Sequence, residues 1–259
     1  MPGAWSTLKN LFRRQQSGPG RTARVPPDTR VYAVGDIHGR LDLLRKLHAL
    51  IAADAGDAPG CEKTIVYLGD YVDRGLESRG VIDCLLDETP ADVTPVYLKG
   101  NHEDALLGFL DDFTAGVGWL QFGGDATLYS YGVELAGSAG EQRTLIDAQL
   151  TLRERLPARH LEFLRGLEIR FEIGDYLFVH AGVRPGVALD EQAPEDLIWI
   201  RDEFLTSKAD HGRVVVHGHS ISLKVEDLAN RVNIDTGAYA SGVLTCLVLD
   251  GAERRLLQT

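Results

Sequence analysis

The sequence predicts an α/β protein in which two β-sheets pack together with helices outside. Three observations predict it. Short apolar β-type runs alternate with helical stretches through the first half. Runs of the same kind return after residue 167, and several runs end in Gly followed by a polar residue. Apolar strands separated by helices mark βαβ units whose strands are buried on both faces.

In chain order, residues 31–34 form the first strand, which stops at Gly35-Asp36. A helix follows from 41 to about 53, with Leu43, Leu44, Leu47 and Leu50 on one face. Residues 64–68 form the second strand, ending in Gly69-Asp70, and a helix spans about 78 to 86. Residues 96–98 form the third, ending in Gly100-Asn101, before a helix from 103 to 113. Residues 114–160 are less regular and read as a helical insert or cap with little legible chemistry. Strands return at 169–173, 176–179, 214–216, 232–234 and 243–249, without an internal repeat.

Residues 1–29 read as a basic, disordered tail ahead of a catalytic domain over 30–259. Lys9, Arg13, Arg14, Arg21 and Arg24 meet no acidic residue up to position 24. Gly18-Pro19-Gly20 and Pro26-Pro27 discourage regular structure. Trp5, Leu8, Leu11 and Phe12 fall at helical spacing, so a short amphipathic surface helix is the alternative. Such a helix is marginal alone.

Composition limits the function classes. The chain has 259 residues, enough for one domain with a sizeable core. It is 44% hydrophobic and 25% charged, the balance of a globular protein. A net charge of −11 argues against nucleic acid as a partner. Cys61, Cys84 and Cys246 are far apart, so neither a zinc ribbon nor a disulfide framework is indicated, and reduced, buried thiols are expected. No apolar run approaches the roughly 20 residues of a membrane span, and no secretory signal is legible, so a cytoplasmic location is the expectation.

The chemistry lies at the strand ends. Gly35-Asp36-Ile37-His38-Gly39, Gly69-Asp70-Tyr71-Val72-Asp73-Arg74-Gly75 and Gly100-Asn101-His102-Glu103 each follow a strand of the first half. His180-Ala181-Gly182 and His217-Gly218-His219 follow two later ones. Carboxyl ends of strands form the crevice where α/β sheets bind ligands. Oxygen and imidazole donors without thiolate suit manganese, iron or zinc. Six such ligands exceed what one tetrahedral ion takes and suffice for two, bridged by a shared carboxylate. His48, His160 and His211 have no such setting and read as surface or helix residues.

This set closely resembles the phosphoprotein phosphatase branch of the calcineurin-like metallophosphoesterases, over roughly residues 30–249. The segments Ile198-Trp199-Ile200-Arg201-Asp202 and Asn233-Ile234-Asp235-Thr236-Gly237 also look like bacterial and phage members. The resemblance implies the calcineurin-like fold, with two packed mixed sheets and the active site at the strand ends. It implies a metal-dependent serine/threonine protein phosphatase using two divalent ions, Mn2+ with Fe or Zn as alternatives. Asp36, His38 and Asp70 would bind the first ion. Asp70, Asn101, His180 and His219 would bind the second. A metal-bridging hydroxide would attack the phosphomonoester without a phosphoenzyme. His102 would be the general acid, oriented by Asp73, and Arg74 and Arg201 would grip the phosphate.

Two assignments have named competitors. His217 would share a strand face with His219 and is separated from it only by the Gly-His pattern. Arg201 could instead form a surface salt bridge with Asp202 or Glu203. Among functions, the alternatives are a symmetrical dinucleoside polyphosphate (Ap4A) hydrolase, a small-molecule phosphoesterase and a catalytically inactive binding module. The hydrolases resemble this pattern but generally carry Ala at the place of Asp73 and Asp at that of Glu103. The intact ligand and acid set speaks against the inactive module. The expected partner is a phosphoprotein or phosphopeptide, acted on by a monomer.

Overall fold

The computed structural model describes residues 22–138 and 140–259. One sheet has the order β10-β9-β1-β2-β3 and the other β4-β5-β6-β8-β7. In the first, β1 (Thr29–Val34), β2 (Glu62–Tyr67) and β3 (Thr94–Tyr97) run parallel. The antiparallel strands β9 (Thr245–Asp250) and β10 (Glu253–Gln258) extend its edge. In the second, β5 (Tyr176–Val179), β6 (Val214–His217) and β8 (Arg231–Asn233) run parallel. The antiparallel strands β4 (Arg170–Ile173) and β7 (Glu226–Asp227) flank them.

Period-two alternation decides which side chains meet where. From β1, Val31 and Ala33 enter the layer between the sheets, while Tyr32 and Val34 face the helices. On β2, Val66 faces inward and Ile65 and Tyr67 outward. The inter-sheet layer is completed by Phe178, Val216, Val232 and Ile234. Both faces of the central strands are therefore buried.

Helix α1 (Leu41–Gly56) packs on the outer face through Leu44, Leu47 and Ile51, all fully buried. Each such burial is worth about 1.5–3 kcal/mol. The apolar stripe runs through Ile51 rather than Leu50, which is 39% exposed. Helix α2 (Ser78–Asp87) buries Val81, Ile82 and Leu85 beside it. Helix α3 (Asn101–Asp111) begins at Asn101, two residues before the expected start, so His102 stands in its first turn.

The insert is helical and continues the α3 side. It comprises α4 (Gly116–Trp119), a kinked segment (Leu120–Gly124) in which Gly123 has φ 101°, α5 (Asp125–Ser130), α6 (Gln142–Arg155) and α7 (Ala158–Arg165). Three short helices sit in the second half: α8 (Pro194–Trp199), α9 (Asp202–Leu205) and α10 (Ala238–Ser241).

Several expectations need correction. The ordered body begins before residue 30: Val25 is 1% exposed and its N–H donates to the Gly251 carbonyl at 2.9 Å. The amphipathic helix considered for Trp5 to Phe12 lies outside the described residues. His48 and His160 are on helices but buried, at 6% and 0% exposure. His48 is hydrogen-bonded to the Tyr67 hydroxyl at 2.8 Å, and His160 joins Tyr131 at 2.9 Å and Asp83 at 3.0 Å. Cys84 and Cys246 are buried free thiols, whereas Cys61 is half-buried.

Candidate metal centre and active site

The expected ligands come together where the two sheets meet. Asp36 and His38 follow β1, Asp70 follows β2, Asn101 and His102 open α3, His180 follows β5 and His219 follows β6. All seven are at most 7% exposed. Close approach dictates the glycines. A Cβ on Gly100 would lie 2.2 Å from Asp70 Oδ1, and one on Gly218 would lie 2.0 Å from Asp36 Oδ1.

The backbone is strained in the same place. His38, Asp70, Asp73, Arg74 and His219 all have φ between 46° and 71°, the left-handed region that non-glycine residues avoid. Such conformations cost about 1–3 kcal/mol each and persist where surrounding bonds over-determine them. Glu103 supplies many of those bonds. Its carboxylate accepts from the N–H groups of Asp70 at 2.8 Å, Tyr71 at 2.7 Å and Val72 at 3.2 Å. It also caps its own helix by accepting from Gly100 N–H at 2.9 Å.

Asp70 is central and its oxygens divide. Oδ2 faces His38 Nε2 at 3.4 Å and His102 Nε2 at 3.9 Å, while Oδ1 faces His180 Nε2 at 3.4 Å. Among the described residues, two groups have donor atoms close enough to share an ion: His38, Asp70 and His102, and Asp70, His180 and His219. Asn101 Oδ1 lies 3.0 Å from His180 Nε2 and 2.8 Å from His219 Nδ1.

The donor chemistry fits divalent metal. His38 Nδ1 donates to the Val72 carbonyl at 2.8 Å and His180 Nδ1 to the Leu68 carbonyl at 2.9 Å. Each bond leaves a lone pair on Nε2, turned toward the site. His180 Nε2, Asn101 Oδ1 and Asp70 Oδ1 are thus three acceptors facing one another, an arrangement that a cation resolves. Asp36 Oδ1, His38 Nε2 and His219 Nε2 are buried without a hydrogen-bond partner among the described residues. Native proteins rarely leave such atoms orphaned.

Electrostatics agrees. Burial pushes the Asp36 carboxyl well above its ordinary value, and the nearby Asp235 and Asp70 carboxylates push it further. Burial also acts upward on Asp70, but the imidazoles of His180, His102, His38 and His219 outweigh it and hold this carboxyl far below the usual range. Burial pulls His38 down to about 3 and His219 down to about 2. Neutral imidazole is the form that ligates metal.

On the His102 side, Nδ1 is 2.7 Å from Asp73 Oδ2. Burial pulls the His102 imidazole down, but Asp70 and Asp73 prevail and leave it above its ordinary value. Arg74 Nη2 reaches His102 Nε2 at 3.2 Å, and its guanidinium lies over the Tyr239 ring at 4.7 Å. Arg201 forms no ion pair among the described residues, because Glu203 pairs with Arg184 at 2.6 Å. Its Nη1 instead lies 3.4 Å from the His219 carbonyl, at the rim of the same site.

His217 and His219 do not share a face. Strand β6 stops at His217 and the chain turns through the left-handed His219. His217 packs edge-on against Phe204 at 5.0 Å, with Nε2 3.4 Å from Arg231, away from the ligand cluster.

Sequence reasoning missed four contributors. Asp235, 2% exposed, is a third carboxylate beside Asp36 and Asp70 and was seen only as part of a motif. Tyr239 stands two residues past that motif and packs edge-on against His38 at 5.6 Å. Trp119 and Thr127 come from the insert and bond Asp73 directly: Trp119 Nε1 to Oδ2 at 2.8 Å and Thr127 Oγ1 to Oδ1 at 2.6 Å. No local pattern marks either of them, since the contacts bridge 46 and 54 residues.

Residues 29–241 match the family model described as calcineurin-like phosphoesterase. The chain is 30% identical over 226 residues to serine/threonine-protein phosphatase 2 of Escherichia coli K12, covering 83% of this chain and 90% of the relative. It is 28% identical over 234 residues to the asymmetrical bis(5'-nucleosyl)-tetraphosphatase PrpE of Anoxybacillus flavithermus, covering 83% and 88%. Among solved structures, a putative diadenosine tetraphosphatase superposes with a TM-score of 0.59 at 21% identity, covering 92% of this chain and 98% of that one. A cold-active protein tyrosine phosphatase superposes with a TM-score of 0.57 at 18% identity, covering 90% and 81%. These last two likenesses concern the fold.

Proposed function

Because the chain belongs to the calcineurin-like phosphoesterase family, we propose that it is a metal-dependent serine/threonine protein phosphatase acting on phosphomonoesters. It is a metallophosphoesterase; the choice of leaving group is the proposal. The observation that carries it is the buried His102–Asp73 pair at 2.7 Å. A protein alkoxide is a poor leaving group and needs a positioned proton donor. A nucleotide leaves as a phosphate of much lower basicity and needs that help less.

Two divalent ions, Mn2+ in the first instance, would be held by Asp36, His38 and Asp70 and by Asp70, Asn101, His180 and His219. When bound they supply Lewis-acid charge and activate water near neutral pH. The division of the Asp70 oxygens between His38 and His180 supports a bridging role for that carboxylate. Arg74 and Arg201 offer planar donors that match two phosphate oxygens. His102, with Nδ1 engaged by Asp73, presents Nε2 to the departing oxygen and delivers the proton there. The substrate would be a phosphoprotein or phosphopeptide, met by a monomer in the cytoplasm. No helix among the described residues is long and apolar enough to cross a membrane.

One observation favours a second reading. Relatives named asymmetrical bis(5'-nucleosyl)-tetraphosphatase match at nearly the same identity and coverage as the named protein phosphatases. They are named as asymmetrical hydrolases, whereas Asp73 and Glu103 set this chain apart from the symmetrical ones. The deciding experiment compares kcat/KM on phosphoserine, phosphothreonine and phosphotyrosine peptides with that on diadenosine tetraphosphate, under one set of manganese conditions. A clear preference for the dinucleotide would overturn the protein phosphatase assignment.

A further inference from the structure

The insert reaches into the catalytic pair from outside the recognised motifs. Asp73 has φ 71° and is fully buried, so both its backbone and its carboxylate need partners. Its N–H donates to Ser78 Oγ at 3.1 Å and to Thr127 Oγ1 at 2.9 Å. The Thr127 hydroxyl in turn donates to Asp73 Oδ1 at 2.6 Å, closing a ring around this one residue. Oδ2 accepts from two groups, His102 Nδ1 at 2.7 Å and Trp119 Nε1 at 2.8 Å.

Trp119 is itself fixed. It is 2% exposed, leans on Phe109 at 4.9 Å and lies flat against Gly124, where a Cβ would come within 2.4 Å of the indole. The next residue of the motif is tied to the same insert. Arg74, also left-handed at φ 68°, donates its N–H to the Gly123 carbonyl at 3.1 Å.

We infer that Trp119 and Thr127 are positioning residues for proton delivery by His102. With only the imidazole as partner, the Asp73 carboxylate is free to rotate about its last bond and share either oxygen. Thr127 on one oxygen and Trp119 on the other fix the carboxylate plane, so one oxygen stays presented to His102 Nδ1. That bond keeps the ring oriented with Nε2 toward the leaving group. As the P–O bond breaks, its electron pair goes to the leaving oxygen and the Nε2 proton neutralises it, while water supplies the oxygen that joins phosphorus. A carboxylate-oriented imidazole loses efficiency when that orientation is relaxed. The inference rests on the general-acid reading of His102 given above.

A purely structural role would slow every substrate alike, whereas a role in proton delivery depends on the leaving group. The test measures kcat/KM of full-length, manganese-loaded protein on a phosphothreonine peptide and on p-nitrophenyl phosphate, with metal content measured for each variant. Trp119→Phe and Thr127→Val should each lose about tenfold on the peptide and less than about threefold on p-nitrophenyl phosphate, a fraction of the whole acid–base effect. Thr127→Ser, which keeps the hydroxyl, should restore the peptide rate. His102→Asn serves as the reference and should show the same split, enlarged. If Trp119→Phe and Thr127→Val slow both substrates equally while His102→Asn shows the split, this inference falls and the general acid stands. If His102→Asn shows no split, both fall together. Should Trp119→Phe not fold, Thr127→Val against Thr127→Ser decides by the same ratio.

Discussion

Asp73 Oδ2 lies 2.7 Å from His102 Nδ1, and the two side chains are among the least exposed polar groups of the molecule. In the proposed function this carboxylate orients the imidazole that delivers the proton. His102→Asn keeps a side chain of similar polarity and removes the transferable proton. It should lower kcat/KM on a phosphothreonine peptide by about 10²–10⁴-fold, the usual scale of acid–base catalysis. Metal content should be nearly unchanged, and the loss on p-nitrophenyl phosphate should be smaller. Equal losses on both substrates would remove His102 from the role.

Asp70→Asn replaces a carboxylate flanked by His38 at 3.4 Å and His180 at 3.4 Å. The amide offers one weak acceptor where two charged oxygens stood. Metal analysis after gel filtration should show loss of both ions, and turnover should fall to background. Two tightly bound ions in a fully active variant would contradict the dinuclear centre.

Arg201 has no carboxylate partner among the described residues, so its charge is available to an anion. Arg201→Ala should leave metal content unchanged, raise KM and weaken inhibition by inorganic phosphate. Loss of one charged hydrogen-bonding group, worth about 1.5–3 kcal/mol, corresponds to a fall in kcat/KM of roughly 10–100-fold. An unchanged inhibition constant for phosphate would place Arg201 outside the anion site.

Burial beside Tyr67 pulls His48 down to about 4. In the unfolded chain this imidazole titrates near 6.5. Between those values the unfolded state holds more protons, so stability rises with pH and is lost as pH falls from about 6.5 to about 4. His48→Gln, which keeps an acceptor for the Tyr67 hydroxyl, should lose on the order of 2 kcal/mol less stability than the parent chain between pH 7 and 4.5. Urea unfolding of both metal-free proteins at the two pH values measures this. Parallel losses would mean that His48 is not the group responsible.

The convergence of the candidate ligand residues follows from their place just after apolar strands, beside a glycine, so local sequence and final position coincide. His102 and Asp73 meet for the same reason, one following the third strand and the other the second. Other features were less accessible to sequence alone. The charged run Glu253-Arg254-Arg255 hid β10, since a charged edge strand has no apolar signature. Val25 seemed part of a tail because Pro26-Pro27 follow it, yet the chain has already joined the core there. His217 and His219 could not be separated by strand parity, because parity ends where the chain turns left-handed. Trp119 and Thr127 were invisible because only tertiary packing brings the insert onto the Asp73 segment. His48 and His160 lie on helices, one of the two settings read for them, but they are buried against partners from other elements that no local pattern marks.

Asp36, His38, Asp70 and Asn101 follow strands of the sheet built around β1, whereas His180 and His219 follow strands of the other. An ion held by Asp70, Asn101, His180 and His219 would clamp the sandwich shut across its seam, where the His219 N–H already donates to Asp36 Oδ2 from 183 residues away. A ligand that binds only the folded form stabilises it in proportion to the logarithm of its free concentration. Resistance to heat and proteolysis would then rise and fall with the supply of the divalent metal. A cell short of the metal would hold less of this protein, as well as a less active one.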